Sequence, residues 1–273
     1  MKNFLAILLF VASATFVFSY CSKKSNAVKP VAKNYVLVHG AWQAPYVWDS
    51  VKTLLLNEGN NVTVVELPGH GSDLTPPSAI TLSLYTTTVL NAISQINGPV
   101  ILVGHSLGGM IISSVAEQIP SKIEKLVYLA AYLPASGQSL NGLAHTDPDS
   151  ELGQAGVLII STAGDTIDVA HNEIVDVFIQ DGTPQIQNLV LQNYRTEPLI
   201  PFLDTVSLTA ANFGSVQKVY IQTLMDHVVS PYLQNKMIAA AGVKTVYQIN
   251  TSHSAFLVKP DSVAILLTEI GQN

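Results

Sequence analysis

From residue 34 onward, hydrophobic and polar positions fall into two kinds of segment that alternate. Six short runs are almost unbroken in apolar, mostly β-branched residues: 35–39 (YVLVH), 62–67 (VTVVEL), 100–104 (VILVG), 126–131 (LVYLAA), 218–223 (KVYIQT) and 245–249 (TVYQI). Runs of this length and composition predict strands buried on both faces. Between them, residues 46–57, 82–96, 107–118, 232–241 and 262–270 space their apolar positions as amphipathic helices do. Strand and helix in alternation make βαβ units, so the predicted class is α/β with a mostly parallel central sheet flanked by helices. The rhythm breaks between about residues 133 and 214, where Gly, Pro, Asp and Gln recur and only VLIIST and HNEIVDVFIQ suggest small elements. This stretch is expected to be a cap inserted into the sheet domain.

The N-terminal pattern is of another kind. Lys2 precedes an apolar run from Phe4 to Phe18, followed by Ser19, Tyr20 and Cys21. A basic residue, an apolar stretch and small residues in that order read as a secretory signal over residues 1–20. Cys21 stands where bacterial lipoproteins carry the cysteine that is lipidated, although Tyr20 is bulkier than the residue usual before it. An uncleaved anchor and an ordinary cleaved signal are the alternatives. Residues 21–33 hold Lys23, Lys24, Lys29 and Lys33 without an acid and read as a basic linker, leaving residues 34–273 as the folded domain. The expected location is outside the inner membrane, on the periplasmic or cell-surface side if Cys21 is lipidated and secreted otherwise.

Composition narrows the function. The 273 residues are 48% hydrophobic and 12% charged with a net charge of −6, and removing the lysines up to Lys33 leaves the domain at about −11. A nucleic-acid backbone would be repelled, so no nucleic-acid partner is expected. One cysteine excludes an internal disulfide and a cysteine-rich zinc site. Asp165 and Asp168 in TAGDTID lack further ligands for a metal, and neither metal nor cofactor is expected.

The chemistry is carried by GHSLGG, residues 104–109, between a predicted strand and a predicted helix. It fits the G-x-S-x-G nucleophile elbow, in which a sharp turn lifts Ser106 off the sheet and Gly104 and Gly108 let strand and helix approach. A serine hydroxyl needs a base to take its proton and an acid to orient that base. On this scaffold they follow in the order serine, acid, histidine. Asp226 lies just after the strand at 218–223 and is the only acid between Asp204 and Asp261. His253 lies just after the final strand, and His227 is the competitor for its role. His145 and His171 fall in the cap, and His105 belongs to the elbow. Two backbone N–H donors should face the developing oxyanion: Leu107, at the start of the helix after the elbow, and Ala41, in the HGAW turn after the first strand.

These segments, with ELPGHGSDL, LVYLAAYLP and FGSVQKVYI, resemble the α/β-hydrolase superfamily, in particular its compact branch of plant methyl esterases and hydroxynitrile lyases with their bacterial esterase relatives. The similarity spans residues 35 to about 269. It implies a triad of Ser106, Asp226 and His253 with oxyanion donors Ala41 and Leu107. Lyases of this branch carry threonine where this chain has Gly40, and lysine where it has Ser254, so the expected activity is hydrolysis of small carboxylic esters through an acyl-enzyme. A lyase and a non-catalytic small-molecule sensor are the alternatives. The substrate-binding surface is expected from Trp42, Tyr132, Leu133, Phe178 and Leu224, an apolar set suited to a methyl or aryl ester. Arg195, the only arginine, is assigned to the surface.

Overall fold

The computed structural model describes residues 31–273; the leader, Cys21 and nearly all of the basic linker lie outside them. Six strands form the central sheet: β1 (Asn34–Val38), β2 (Asn61–Val65), β3 (Val100–His105), β4 (Ile123–Leu129), β8 (Lys218–Thr223) and β9 (Thr245–Ile249). Their spatial order is β2-β1-β3-β4-β8-β9, and every neighbouring pair is parallel. Each expected strand is present within a few residues. The expectation of burial on both faces holds for β1, β3, β4 and β8 but fails at the sheet edges. Exposed and part-buried positions run along β2 and alternate along β9, because an edge strand has a neighbour on one side only. Its β-branched residues reflect strand propensity more than burial.

Side chains alternate between the two faces as the strand period requires. Tyr35, Leu37, Ile101, Val103, Val127 and Leu129 pack against α1 (Asp49–Asn57), α9 (Ala255–Val258) and α10 (Pro260–Gln272). Val36, Val38, Leu102, Leu126, Tyr128 and Tyr220 pack against α2 (Leu82–Ser94), α3 (Gly108–Gln118) and α8 (Pro231–Ala241). Helix starts follow local chemistry: the Thr81 and Ser230 side chains accept the Leu84 and Leu233 N–H groups, and α8 stops at Gly242 in the left-handed region.

Between β4 and β8 the chain leaves the sheet. It forms the short helices α4 (Leu140–Ala144), α5 (Ile174–Ile179), α6 (Pro184–Asn193) and α7 (Ile200–Leu203) and a three-stranded antiparallel sheet of β5 (Leu158–Ile160), β6 (Thr166–Val169) and β7 (Glu197–Pro198). Asp165 and Asp168 flank the start of β6. Asp165 accepts from Ser161, and Asp168 from Tyr194 and Thr196.

The strand order fixes where a ligand can bind. From β1 the chain moves outward to β2, then returns past β1 to β3 on the other side, so the carboxyl ends of β1 and β3 face the point where the winding reverses. The HGAW turn follows β1 and GHSLGG closes β3, which brings the two expected halves of the site to that crevice.

Candidate active site

Ser106 follows β3 with φ +54°, a left-handed backbone that costs a non-glycine residue about 1 to 2 kcal/mol. The turn is held by hydrogen bonds from Ser106 N–H to Leu129 O at 3.4 Å and from Tyr132 N–H to Ser106 O at 3.1 Å. A Cβ on Gly104 would lie 2.6 Å from Gly108 O, so the close approach of strand and helix does demand glycine there. Trp42 (φ +59°) and Ala130 (φ +48°) are the other non-glycine residues with positive φ among the described residues. All three sit just beyond the carboxyl ends of β1, β3 and β4, so the backbone strain is concentrated at the crevice.

His253 and Asp226 meet there. His253 Nδ1 lies 2.9 Å from Asp226 Oδ2 and 3.0 Å from Oδ1, with the histidine 1% and the aspartate 3% exposed. The buried carboxylate is otherwise saturated: Oδ1 accepts the Val228 and Val229 N–H groups, and Oδ2 accepts Thr223 Oγ1–H and Gln234 Nε2–H. Its oxygens accept from the imidazole as well, which fixes the ring with Nδ1 as the donor. Nε2 is then the basic nitrogen. Neither it nor Ser106 Oγ makes a hydrogen bond among the described residues, to the other included; a base and its nucleophile often close that distance only with substrate bound.

His227 is placed elsewhere. It is part-exposed, with Nδ1 3.2 Å from Glu151 Oε2 and 2.9 Å from Asp176 O. Of the two histidines, His253 is the one whose ring meets Asp226. Glu151, Asp176 and His227 bring their ligand atoms within 4.8 Å of one another, a spacing a cation could use, but the histidine is already paired with Glu151. His105 packs its ring 4.5 Å from that of His253 and bonds the His253 carbonyl at 3.0 Å through Nε2. Burial, and then repulsion from His253, hold its pKa well below the ordinary range, so it stays neutral under the base.

Ala41 and Leu107 are both buried, and among the described residues neither backbone N–H donates to a protein acceptor. The Leu107 donor gains from its place at the N-cap of α3.

The expected binding residues separate. Trp42 and Tyr132 line a cavity of about 360 Å³ together with Leu140, Leu152, Ile167 and Phe202. Phe178 is buried between Trp42 and His253, at ring distances of 5.5 and 6.1 Å. Leu133 instead lines a separate cavity of about 290 Å³ with Phe213 and Met237, a correction that arises because the chain has turned away from the crevice one residue after Tyr132. Leu224 is 39% exposed and outside both cavities. Ser106 and His253 do not line the 360 Å³ cavity. Arg195 is exposed; its guanidinium bonds the Tyr194 carbonyl, and its backbone N–H donates to Trp42 O.

One buried residue escaped the sequence reading. Glu197 is fully buried and accepts the Trp42 N–H at 2.8 Å, His70 Nε2 at 2.8 Å and the Tyr85 hydroxyl at 3.0 Å. No local pattern marks it; only the fold brings residues 42, 70, 85 and 197 together.

Residues 35–265 match the alpha/beta hydrolase family, and the chain belongs to it. It is 32% identical over 249 residues to a chloroplastic Arabidopsis thaliana protein named as methylesterase 11, covering 88% of this chain but spanning only 64% of that relative's length. It is also 29% identical to salicylic acid-binding protein 2 of Nicotiana tabacum, over 87% of this chain and 96% of the relative. A solved pyrethroid hydrolase superimposes with a TM-score of 0.77 at 25% identity, over 88% of this chain and 98% of its own.

Proposed function

We propose that the protein is a serine hydrolase of small carboxylic esters. The observation that carries this is the bonded, buried His253–Asp226 pair at the crevice where Ser106 stands on a left-handed elbow, with the Ala41 and Leu107 N–H groups as the proposed oxyanion donors. In the proposed reaction His253 Nε2 takes the Ser106 proton as Oγ attacks the ester carbonyl. The tetrahedral oxyanion settles between the two N–H donors. The imidazolium, stabilised by Asp226, then protonates the departing alkoxide. Water attacks the acyl-enzyme by the same route and releases the acid. The role of the left-handed elbow is to present Oγ at the crevice before substrate arrives.

The aromatic and aliphatic walls around Trp42, Tyr132 and Phe202 suit an apolar acyl or aryl group, and relatives named for methyl esters and pyrethroids support an ester bond as the target. Cyanohydrin cleavage is disfavoured: Ser254, 1% exposed, carries no charge to hold a leaving cyanide, and Gly40 has no side chain to stand beside the nucleophile. The test is a panel of nitrophenyl and methyl esters read with a serine-directed phosphonate. Ser106 labelling with turnover, both abolished in Ser106→Ala, is the expected result. Labelling with almost no turnover would favour a small-molecule sensor, and absence of labelling contradicts both.

We also propose that the chain is exported and held to a membrane through Cys21, on the strength of the leader pattern and the basic linker. Cys21→Ala should move the enzyme from the membrane to the soluble fraction and abolish labelling with a palmitate analogue. Unchanged fractionation would refute the anchor.

A further inference from the structure

The hydrogen bonds around Trp42 tie the oxyanion turn to the insertion rather than to its own sheet. The Trp42 N–H donates to Glu197 Oε2 at 2.8 Å, its carbonyl accepts the Arg195 N–H at 3.2 Å, and its indole N–H donates to Ile167 O at 3.0 Å. Ile167 and Glu197 are register partners on β6 and β7. Two anchors from one antiparallel pair, and a third from Arg195 two residues before β7, therefore hold the residue directly after Ala41 in its left-handed conformation.

A fully buried carboxylate needs compensation to remain there. His70 supplies it, and its charge state follows from its partners. Nε2 faces Glu197 Oε2 at 2.8 Å and Nδ1 faces the Pro68 carbonyl at 3.0 Å. Both faces of the ring meet oxygens, and although burial pulls the His70 pKa down, the adjacent Glu197 carboxylate outweighs it and the net shift favours the imidazolium. The adjacent His39, with rings 5.0 Å apart, is the opposite case: it donates through Nδ1 to Gly40 O and accepts the Leu67 N–H at Nε2, so it is neutral. Tyr85 fills the remaining oxygen of Glu197.

We infer that Glu197 is a positioning residue of the oxyanion hole: its carboxylate, charge-paired to His70 and braced by Tyr85, clamps the Trp42 backbone so that the Ala41 N–H points at the oxyanion. The inserted segment thereby completes the hole built on the sheet. This rests on the hydrolase reading above. Glu197 itself does not line the cavity, and its bond is to the Trp42 backbone rather than the indole, so loosening it should act more on the transition state than on ground-state binding.

The test compares wild type with Glu197→Gln and Tyr85→Phe in ester kinetics, in affinity for a trifluoromethyl ketone whose adduct carries the oxyanion, and in thermal unfolding. Glu197→Gln places an amide against the imidazolium and weakens the clamp. Its kcat should fall about 10- to 100-fold, short of or equal to the loss of a whole oxyanion donor, with KM within about threefold and ketone affinity weakened by the same factor as kcat. Tyr85→Phe should show the same pattern at about 3- to 10-fold, and it decides the question if the Gln variant does not fold. A folded variant with a lower Tm but unchanged kcat and ketone affinity makes Glu197 purely structural and overturns the inference, as does a change confined to KM. A wild type without turnover or Ser106 labelling refutes the hydrolase reading and this inference with it, and that outcome is separable because it appears before any variant is made.

Discussion

Gly40 offers the sharpest test of the site geometry. Its backbone is not left-handed, so alanine is conformationally allowed there, and the effect of Gly40→Ala is one of space alone. The new Cβ would lie 2.7 Å from Ser106 Cβ, 2.9 Å from His105 Nδ1 and 3.1 Å from His105 O, where ordinary contact begins at 3.4 Å. Ser106 Cβ is fixed by the strained elbow, and His105 is packed against His253 and Phe256 at ring distances of 4.5 and 4.4 Å. None of these groups is the free end of a flexible chain. Relief therefore takes a displacement of roughly 0.7 Å of the nucleophile against the oxyanion turn, which by the usual sensitivity to misplacement costs on the order of 10- to 100-fold in kcat, with about 1 to 3 kcal/mol of overpacking. The assay is steady-state hydrolysis of a nitrophenyl ester, with the rate of phosphonate labelling of Ser106 as the chemical readout. Gly242→Ala is the control: at φ +64° with nothing within 4 Å, it should lower stability by about 1 kcal/mol and leave kcat unchanged. If Gly40→Ala retained kcat within twofold and labelled at the wild-type rate, the placement of the turn against the serine would be wrong.

Other variants divide the histidine–acid pairs. Asp226→Asn should lower kcat about 10³- to 10⁴-fold while the protein stays folded, because an amide at this position favours the wrong tautomer of His253. His227→Gln should stay within about threefold, since that side chain pairs with Glu151 at the rim; a loss as large as that of Asp226→Asn would reverse the assignment. Stability should fall in mild acid. Burial first, then repulsion from His70, lowers the His39 pKa to about 3, so the unfolded chain binds a proton below about pH 6.5 that the native ring refuses. Between pH 7 and pH 5 this removes about 2 kcal/mol, and His105 acts in the same direction. Burial pulls the His70 pKa down but the adjacent Glu197 carboxylate outweighs it, and the net shift is upward. The stability from that pair is present below about pH 6.5 and is lost as pH rises through the raised value. Urea midpoints from pH 5 to pH 9 should therefore peak near neutrality, and a flat profile down to pH 5 would contradict a neutral, buried His39.

What could be read from the chain was what local spacing encodes. Alternating apolar runs and amphipathic stretches determine a parallel α/β sheet, because a strand buried by helices on both faces must be apolar throughout. GHSLGG carries its own geometry, since only small residues at 104 and 108 allow the turn that exposes Ser106. Asp226 and His253 were legible because each sits a few residues beyond a recognisable strand, and parallel strands deliver all such positions to one edge.

The tertiary structure decided what no spacing records. Glu197 lies 155 residues from Trp42 and 127 from His70, in a two-residue strand without periodicity. Its burial, its charge partner and its hold on the oxyanion turn exist only once the insertion folds back over the crevice. Leu133 was misplaced for a related reason, since one residue of chain direction after Tyr132 separates two cavities. The sheet edges, too, were set by strand order rather than by composition. Local sequence specifies what short-range sterics and burial periodicity demand, whereas long-range polar pairs answer to the electrostatics of the closed interior, where a buried carboxylate is stable only beside the cation that the fold brings to it.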